Sequence, residues 1–283
     1  MGAVTSAAAL SPLTRSGSGS GRAVADARSG SSSTGLSFKP VQGPMPVPSL
    51  GIAPDQQPAE FEQFSVVDDL VLPEGYTYDV VAAWGDPVGD SRFGYNNDYI
   101  ALVETAPGEG YLVVNFEYIS GQTWMETFSA VVDKTLPLEA VKAAAVINEG
   151  EIDVLALSDE ALKAQIIEIA KESMIDQGMG VIAVRRSESG QWMRTFSEAD
   201  RRITGISGLE DDRYLSVTGP AAAVFTKTDK LGYDDGLGDR IIGTFQNCGG
   251  GITPWGTVLS AEENFQAQVP EAVMPDGSAM SPA

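Results

Sequence analysis

The sequence predicts a β-dominated fold, a sandwich, barrel or propeller, interrupted by a helical insertion near residues 137–178. Three observations carry this. Short segments rich in β-branched and aromatic residues recur along the chain. Gly and Pro clusters punctuate them. One stretch alone changes to helical periodicity. The first strands are YDVVAAW (78–84), YIALVE (99–104) and YLVVNFEY (111–118). The series resumes with GVIAVRR (180–186), then 191–196, 214–218, 240–246 and 256–261. Repeated short strands joined by loops are the pattern of layered or closed all-β folds.

Between them, PLEAVKAAAVINEG (137–150) and SDEALKAQIIEIAKESMIDQG (158–178) read as helices. The second has Ser158 as its expected N-cap and Ala161, Leu162, Ile166, Ile167, Ile169 and Ala170 as an apolar stripe. A helix packed on the sheets is the plain reading of this stretch.

Residues 1–60 do not read as core. SGSGSGRAVADARSGSSSTG (16–35) has linker composition, and Pro recurs from Pro40 to Pro58. The opening MGAVTSAAALSPL is small and mildly apolar but lacks a basic region. It is read either as the remnant of an export signal whose start is missing or as an ordinary terminus. Residues 61–283 are expected to hold the folded domain. The closing PEAVMPDGSAMSPA follows a strand with no closing element, so an incomplete fold is expected.

Of the 283 residues, 43% are hydrophobic, yet no run reaches the roughly 18 apolar residues of a membrane span. Asp and Glu number 39 against 18 Lys and Arg, a formal net charge of −21. Such a surface repels phosphate backbones, which argues against nucleic acid as a partner. The acid excess serves solubility or hard-cation binding, and composition does not separate the two. Histidine is absent. That removes Ser-His-Asp and Cys-His catalysis and every His-bearing zinc site. The single cysteine, Cys248, excludes an intrachain disulfide.

The richest segment is GTFQNCGGGITPWGTVLSAEENF (243–265). Gly249, Gly250 and Gly251 are expected to permit positive φ or a close backbone approach beside Cys248. Glu262, Glu263 and Asn264 follow. Adjacent strand residues face opposite ways, so one glutamate at most points at a given site. A simple hairpin is expected to set Glu263 at the far strand end from Cys248, which counts against a local site. GYNNDY (94–99) suits an Asx-rich turn or a calcium loop through Asn96, Asn97 and Asp98. In NFEY (115–118), Glu117 closes an apolar strand as a ligand or as its exit to water. Arg201 and Arg202 fit phosphate oxygens or the neutralisation of Asp200, the commoner case. Asp234, Asp235 and Asp239 have calcium-loop composition without EF-hand spacing.

Together, PEGYTYDVVAAWGDPV, FGYNNDY, YLVVNFEY, RRSESGQWMR with DRRITG, TGPAA and above all GTFQNCGGGITPWGTVLSAEENF resemble the PhoX alkaline phosphatase family in order over about 61–265. The resemblance implies a six-bladed β-propeller, incomplete here, whose channel mouth holds ferric iron and calcium. It implies hydrolysis of phosphomonoesters outside the cytoplasm, with twin-arginine export to the periplasm or beyond. It implies Cys248 as an iron ligand and a metal-binding carboxylate at Glu263, with Glu262 the other candidate. Asn97, Asp98 and Glu117 become candidates for calcium or outer-shell roles. Phe116 departs from the family, which often has His there, and the arginine pair of the export signal is absent. A monomer acting on small phosphomonoesters is expected, this chain being an N-terminal portion that is inactive alone if later ligands are missing. Two rivals stand beside it: a non-enzymatic calcium-binding propeller, and another propeller hydrolase such as a lactonase or phosphodiesterase.

Overall fold

The computed structural model describes residues 52–63, 69–147, 152–154, 156–220, 222 and 236–263. The linker-like stretch 1–51, Asp234, Asp235, Asn264 and the closing segment lie outside them. The chain divides into two units, Ala7–Asp79 and Val80–Ala283, with Met1–Ser6 grouped with the latter. In the first unit the described helix is α1 (Gln57–Glu62), with Pro58 in its first turn, where a missing N–H costs no hydrogen bond.

The second unit is mostly sheet, as the sequence predicts. Its order is β1 (Pro87–Val88), β2 (Ser91–Arg92), β3 (Asn97–Ala106), β4 (Glu109–Phe116), α2 (Gly121–Val132), α3 (Leu138–Ile147), α4 (Glu160–Ile175), β5 (Gly178–Arg186), β6 (Trp192–Arg194), β7 (Arg201–Ile203), β8 (Leu215–Ser216), β9 (Arg240–Ile241), β10 (Asn247–Ile252) and β11 (Val258–Glu262). Strands β3, β4 and β5 form an antiparallel sheet, and β6 and β7 both pair with the outer edge of β5. Between those two ladders the Ala183 N–H is taken by Asp200 Oδ1 at 2.7 Å. Among the described residues no closed barrel or ring of blades is formed.

The two-residue period of β4 explains its place. Leu112, Val114 and Phe116 point into an apolar core with Val88, Phe93, Ile182 and Val184. Phe93 and Phe116 meet edge to face, centroids 4.8 Å apart. Burial of each such side chain stabilises the fold by about 1.5–3 kcal/mol. The alternate residues Tyr111, Val113 and Asn115 fall on the opposite face. The hairpin β10–β11 packs on that face.

The expected strand at 78–84 does not form. Residues 78–83 have no ladder partner among the described residues, and the segment ends in a turn at 84–85, where the Ala83 N–H donates to Asp86 Oδ2 at 2.9 Å. The helical insertion starts earlier than expected, because α2 precedes α3 and α4. Its signal was the spacing of Trp124 and Phe128, one turn apart and both buried. The N-cap of α4 is Asp159 rather than Ser158, with Oδ1 accepting from the N–H groups of Ala161 and Leu162. Leu162, Ile166 and Ile169 are partly buried, whereas Ile167 is exposed.

Helices α2 and α4 are joined to strand β2 by a buried polar network. Arg92 Nε donates to Asp176 Oδ1 at 2.6 Å, and its Nη1 lies 2.9 Å from Glu172 Oε2. Trp124 Nε1 donates to Asp176 Oδ2 at 2.7 Å. Burial opposes ionisation of Glu172, but the Lys134 ammonium and the Arg92 guanidinium together outweigh it and hold the carboxyl below its ordinary range. A depressed folded-state value adds stability above the ordinary carboxyl range and loses it as pH falls through the lower value. Glu172→Gln is therefore expected to flatten the acid side of the stability profile, read as urea midpoints from about pH 7 down to about pH 3. An unchanged acid limb would place the acid-sensitive groups elsewhere.

Candidate metal centre

Two hairpin ends of the same construction meet at one place. At the first, Asn96 has a left-handed backbone (φ 55°) and Asn97 pairs with Phe116. The ladder then slips by a bulge between Asn97 and Ile100, and the Asn96 carbonyl accepts from Glu117 N at 3.0 Å. At the second, Gln246 is left-handed (φ 52°), Asn247 pairs with Glu262, and a bulge lies between Asn247 and Gly250. The Gln246 carbonyl accepts from Glu263 N at 2.9 Å. Asp98 and Cys248 thus occupy equivalent bulge positions, and Glu117 and Glu263 equivalent exits. A bulge inserts one residue and re-aims its side chain. Non-glycine residues held left-handed at both ends are the kind of strain that collects at functional sites.

The result is a compact cluster. Ligand atoms of Asp98, Glu117 and Cys248 all lie within 4.8 Å of one another. The thiol donates to Asp98 Oδ2 at 2.9 Å. Hydrogen bonding to Asp98 and then to Glu263 pushes the Cys248 thiol up to about 12. Burial first, then the charges of Asp98 and Glu263, lift the Glu117 carboxyl above its ordinary range. Glu117 and Cys248 so placed favour their protonated forms in the absence of a cation. A bound multivalent ion inverts that preference and deprotonates a coordinating thiol. The donor set is one soft sulfur among hard carboxylates, which fits a thiolate-tolerant metal beside an oxygen-seeking one.

Buried amides hold the second hairpin to the sheet. Asn115, with no exposed surface, donates from Nδ2 to the Cys248 carbonyl at 2.8 Å and accepts at Oδ1 from Ser260 Oγ at 3.0 Å. Asn247 Nδ2 donates to Ser260 Oγ at 2.9 Å and Thr244 Oγ1 at 3.0 Å. Asn115→Leu leaves the Cys248 carbonyl and Ser260 without these partners. It is expected to cost about 1–3 kcal/mol in urea unfolding and about 10–100-fold in metal affinity, as outer-shell losses do. Unchanged affinity would confine Asn115 to a structural role.

The structure thus brings Cys248, Asp98, Glu117 and Glu263 together. The hairpin objection to Glu263 fails: residues 253–257 make the turn, so Asn247 and Glu262 end the two strands at the same open end. Glu262 turns away, its Oε1 accepting from Thr244 Oγ1 at 2.8 Å and Phe245 N at 3.2 Å. Asn97 holds the strand-pairing position equivalent to Asn247, whose amide serves the internal network. None of the three glycines has positive φ. Gly250 alone is tightly packed, since a Cβ there would strike the Tyr99 ring. Phe116 points into the core, away from the cluster. Arg202 is not a phosphate ligand here. Its buried guanidinium donates to the carbonyls of Met179, Arg92, Ile175 and Gln177 and lies over the Phe116 ring. Burial lowers it to about 9. Asp200 faces Arg194, at 3.4 Å, rather than Arg201 or Arg202.

The family model for alkaline phosphatase PhoX matches residues 55–279. The chain belongs to the PhoX alkaline phosphatase family. A solved PhoX from Pseudomonas fluorescens, in complex with vanadate described as a transition state analogue, is 28% identical. The match covers 71% of this chain and 31% of that one, with a TM-score of 0.47. The chain therefore corresponds to under a third of that PhoX. No curated protein matches it.

Proposed function

We propose that the protein is a calcium- and iron-dependent phosphomonoesterase that releases inorganic phosphate. The observation that carries this is the convergence of Asp98, Glu117 and Cys248 within 4.8 Å, in a chain of the PhoX family. Cys248 with Glu263 would hold ferric iron, and Asp98 with Glu117 would hold calcium. Bound there, such ions would polarise phosphoryl oxygens and offset charge developing in an in-line displacement.

The chain's own groups supply placement and proton control. The bulges fix Asp98 and Cys248, the left-handed residues Asn96 and Gln246 fix the backbone of Glu117 and Glu263, and Asn115 ties the two ends together. The proton on Cys248 Sγ is held by Asp98 and must leave before the sulfur can ligate, so metal uptake releases protons and strengthens as pH rises.

The reading includes a β-propeller. Its support is the face-to-face packing of the β10–β11 hairpin on β3–β4 with the same end geometry repeated, as radial repetition of blades requires. It also includes small phosphomonoester substrates, a monomeric state and twin-arginine export to the periplasm or beyond. No helix among the described residues is long and apolar enough to cross a membrane.

Hydrolysis of p-nitrophenyl phosphate by the complete protein, with and without calcium and with elemental analysis for iron, tests the reading. Calcium-dependent turnover with bound iron supports it. Calcium binding without iron or turnover would favour a non-enzymatic calcium-binding propeller. Turnover of lactones or phosphodiesters alone would favour another hydrolase.

A further inference from the structure

Beside the cluster, and sharing Glu117 and Glu263 with it, lies a cavity of about 630 Å³. That is within the roughly 300–1,000 Å³ of small-molecule sites. Its far wall comes from the helical insertion: Ile119 leads into α2, which supplies Trp124 and Met125, and α4 supplies Ile169. This wall is apolar apart from Ser173 of α4, whereas the near wall carries Glu117 and Glu263. The cavity is thus two-sided, with charge chemistry at one end and a greasy surface at the other.

We propose that this cavity receives the alcohol portion of the phosphomonoester and selects alcohols with an apolar body over small polyols. The proposal rests on the phosphatase reading of the adjoining cluster. An ester whose phosphoryl group sits at Glu117 and Glu263 has its organic part directed to the Met125 and Ile169 wall. The helical insertion is then a specificity element of the phosphatase.

The test compares kcat/KM for 1-naphthyl phosphate and glycerol 2-phosphate in the metal-loaded complete protein and in Met125→Glu. The wild type is expected to prefer the naphthyl ester, and the variant's preference to fall about tenfold, the scale of a lost apolar pocket contact. Met125→Leu is expected to keep the preference. A wild type indifferent to the two esters, or an unchanged ratio in Met125→Glu, overturns the proposal. Should Met125→Glu fail to fold, the ratio is measured in Met125→Ala, where a fall upholds the proposal and an unchanged value overturns it. If neither ester turns over, the phosphatase reading fails, and 1-naphthol binding by saturation-transfer NMR judges the cavity separately. Binding to the wild type that Met125→Glu abolishes upholds the apolar subsite, and no binding to the wild type overturns it.

Discussion

Cys248→Ser is expected to remove bound iron and to lower phosphomonoesterase activity by more than about 100-fold. The lower bound follows from outer-shell losses, which already reach about 100-fold; loss of a direct ligand exceeds them. Serine preserves the size of the side chain and can still donate to Asp98, so the hairpin end keeps its shape. The backbone ties are untouched, because Asn115 binds the Cys248 carbonyl and not its sulfur. What disappears is the one soft ligand in an otherwise oxygen-donor set. Asp98, Glu117 and Glu263 remain, so calcium binding is expected to persist while iron is lost. Elemental analysis and kcat/KM on the same preparation separate the two metals. Retention of both iron and activity would reduce Cys248 to a hydrogen-bonding residue.

The largest expected effect on stability is at Asp176, which no sequence feature singled out. Its carboxylate is completely buried and accepts from Arg92 and from Trp124, while its carbonyl accepts from Tyr95 N at 2.9 Å. Breaking a buried pair by removing one partner leaves a stranded charge, at a cost of about 3–5 kcal/mol. Asp176→Ala should show this loss in urea unfolding. Asp176→Asn should cost less, since the amide oxygen still accepts one of the two bonds. The damage should reach the site as well. Tyr95 leads directly into Asn96–Asp98, and Trp124 lines the cavity, so metal affinity should fall with stability. A variant within about 1 kcal/mol of wild type, the ordinary scale of point mutations, would mean that the network is not what anchors α2 and α4.

The residue types of the site are legible in the sequence, but the means of bringing them together are not. Asp98, Glu117, Cys248 and Glu263 all lie in segments whose composition stands out. Local strand logic nevertheless argues against uniting Cys248 and Glu263, because the turn position within 243–263 is not evident from residue types. Once residues 253–257 turn, the register sets Glu263 beside Gln246. The matched bulges and the left-handed Asn96 and Gln246 are backbone states that many sequences permit, so neither can be read from residue identity. The strands at 99–104, 111–118 and 180–186 are announced by their β-branched runs. The same signal misleads at 78–84, because a propensity of that kind ignores whether a partner edge exists. Arg202 shows the same limit. Its charge suggests a partner for Asp200 or for phosphate oxygens, whereas its buried position commits every described bond to backbone carbonyls.

X-ray absorption at the iron edge of the metal-loaded protein tests the central claim most directly, that the two hairpin ends form one mixed thiolate and carboxylate centre. The account predicts a single sulfur scatterer in the iron shell among oxygen neighbours, lost in Cys248→Ser and retained in Glu262→Gln. An iron shell of oxygen and nitrogen alone in the wild-type protein would contradict it.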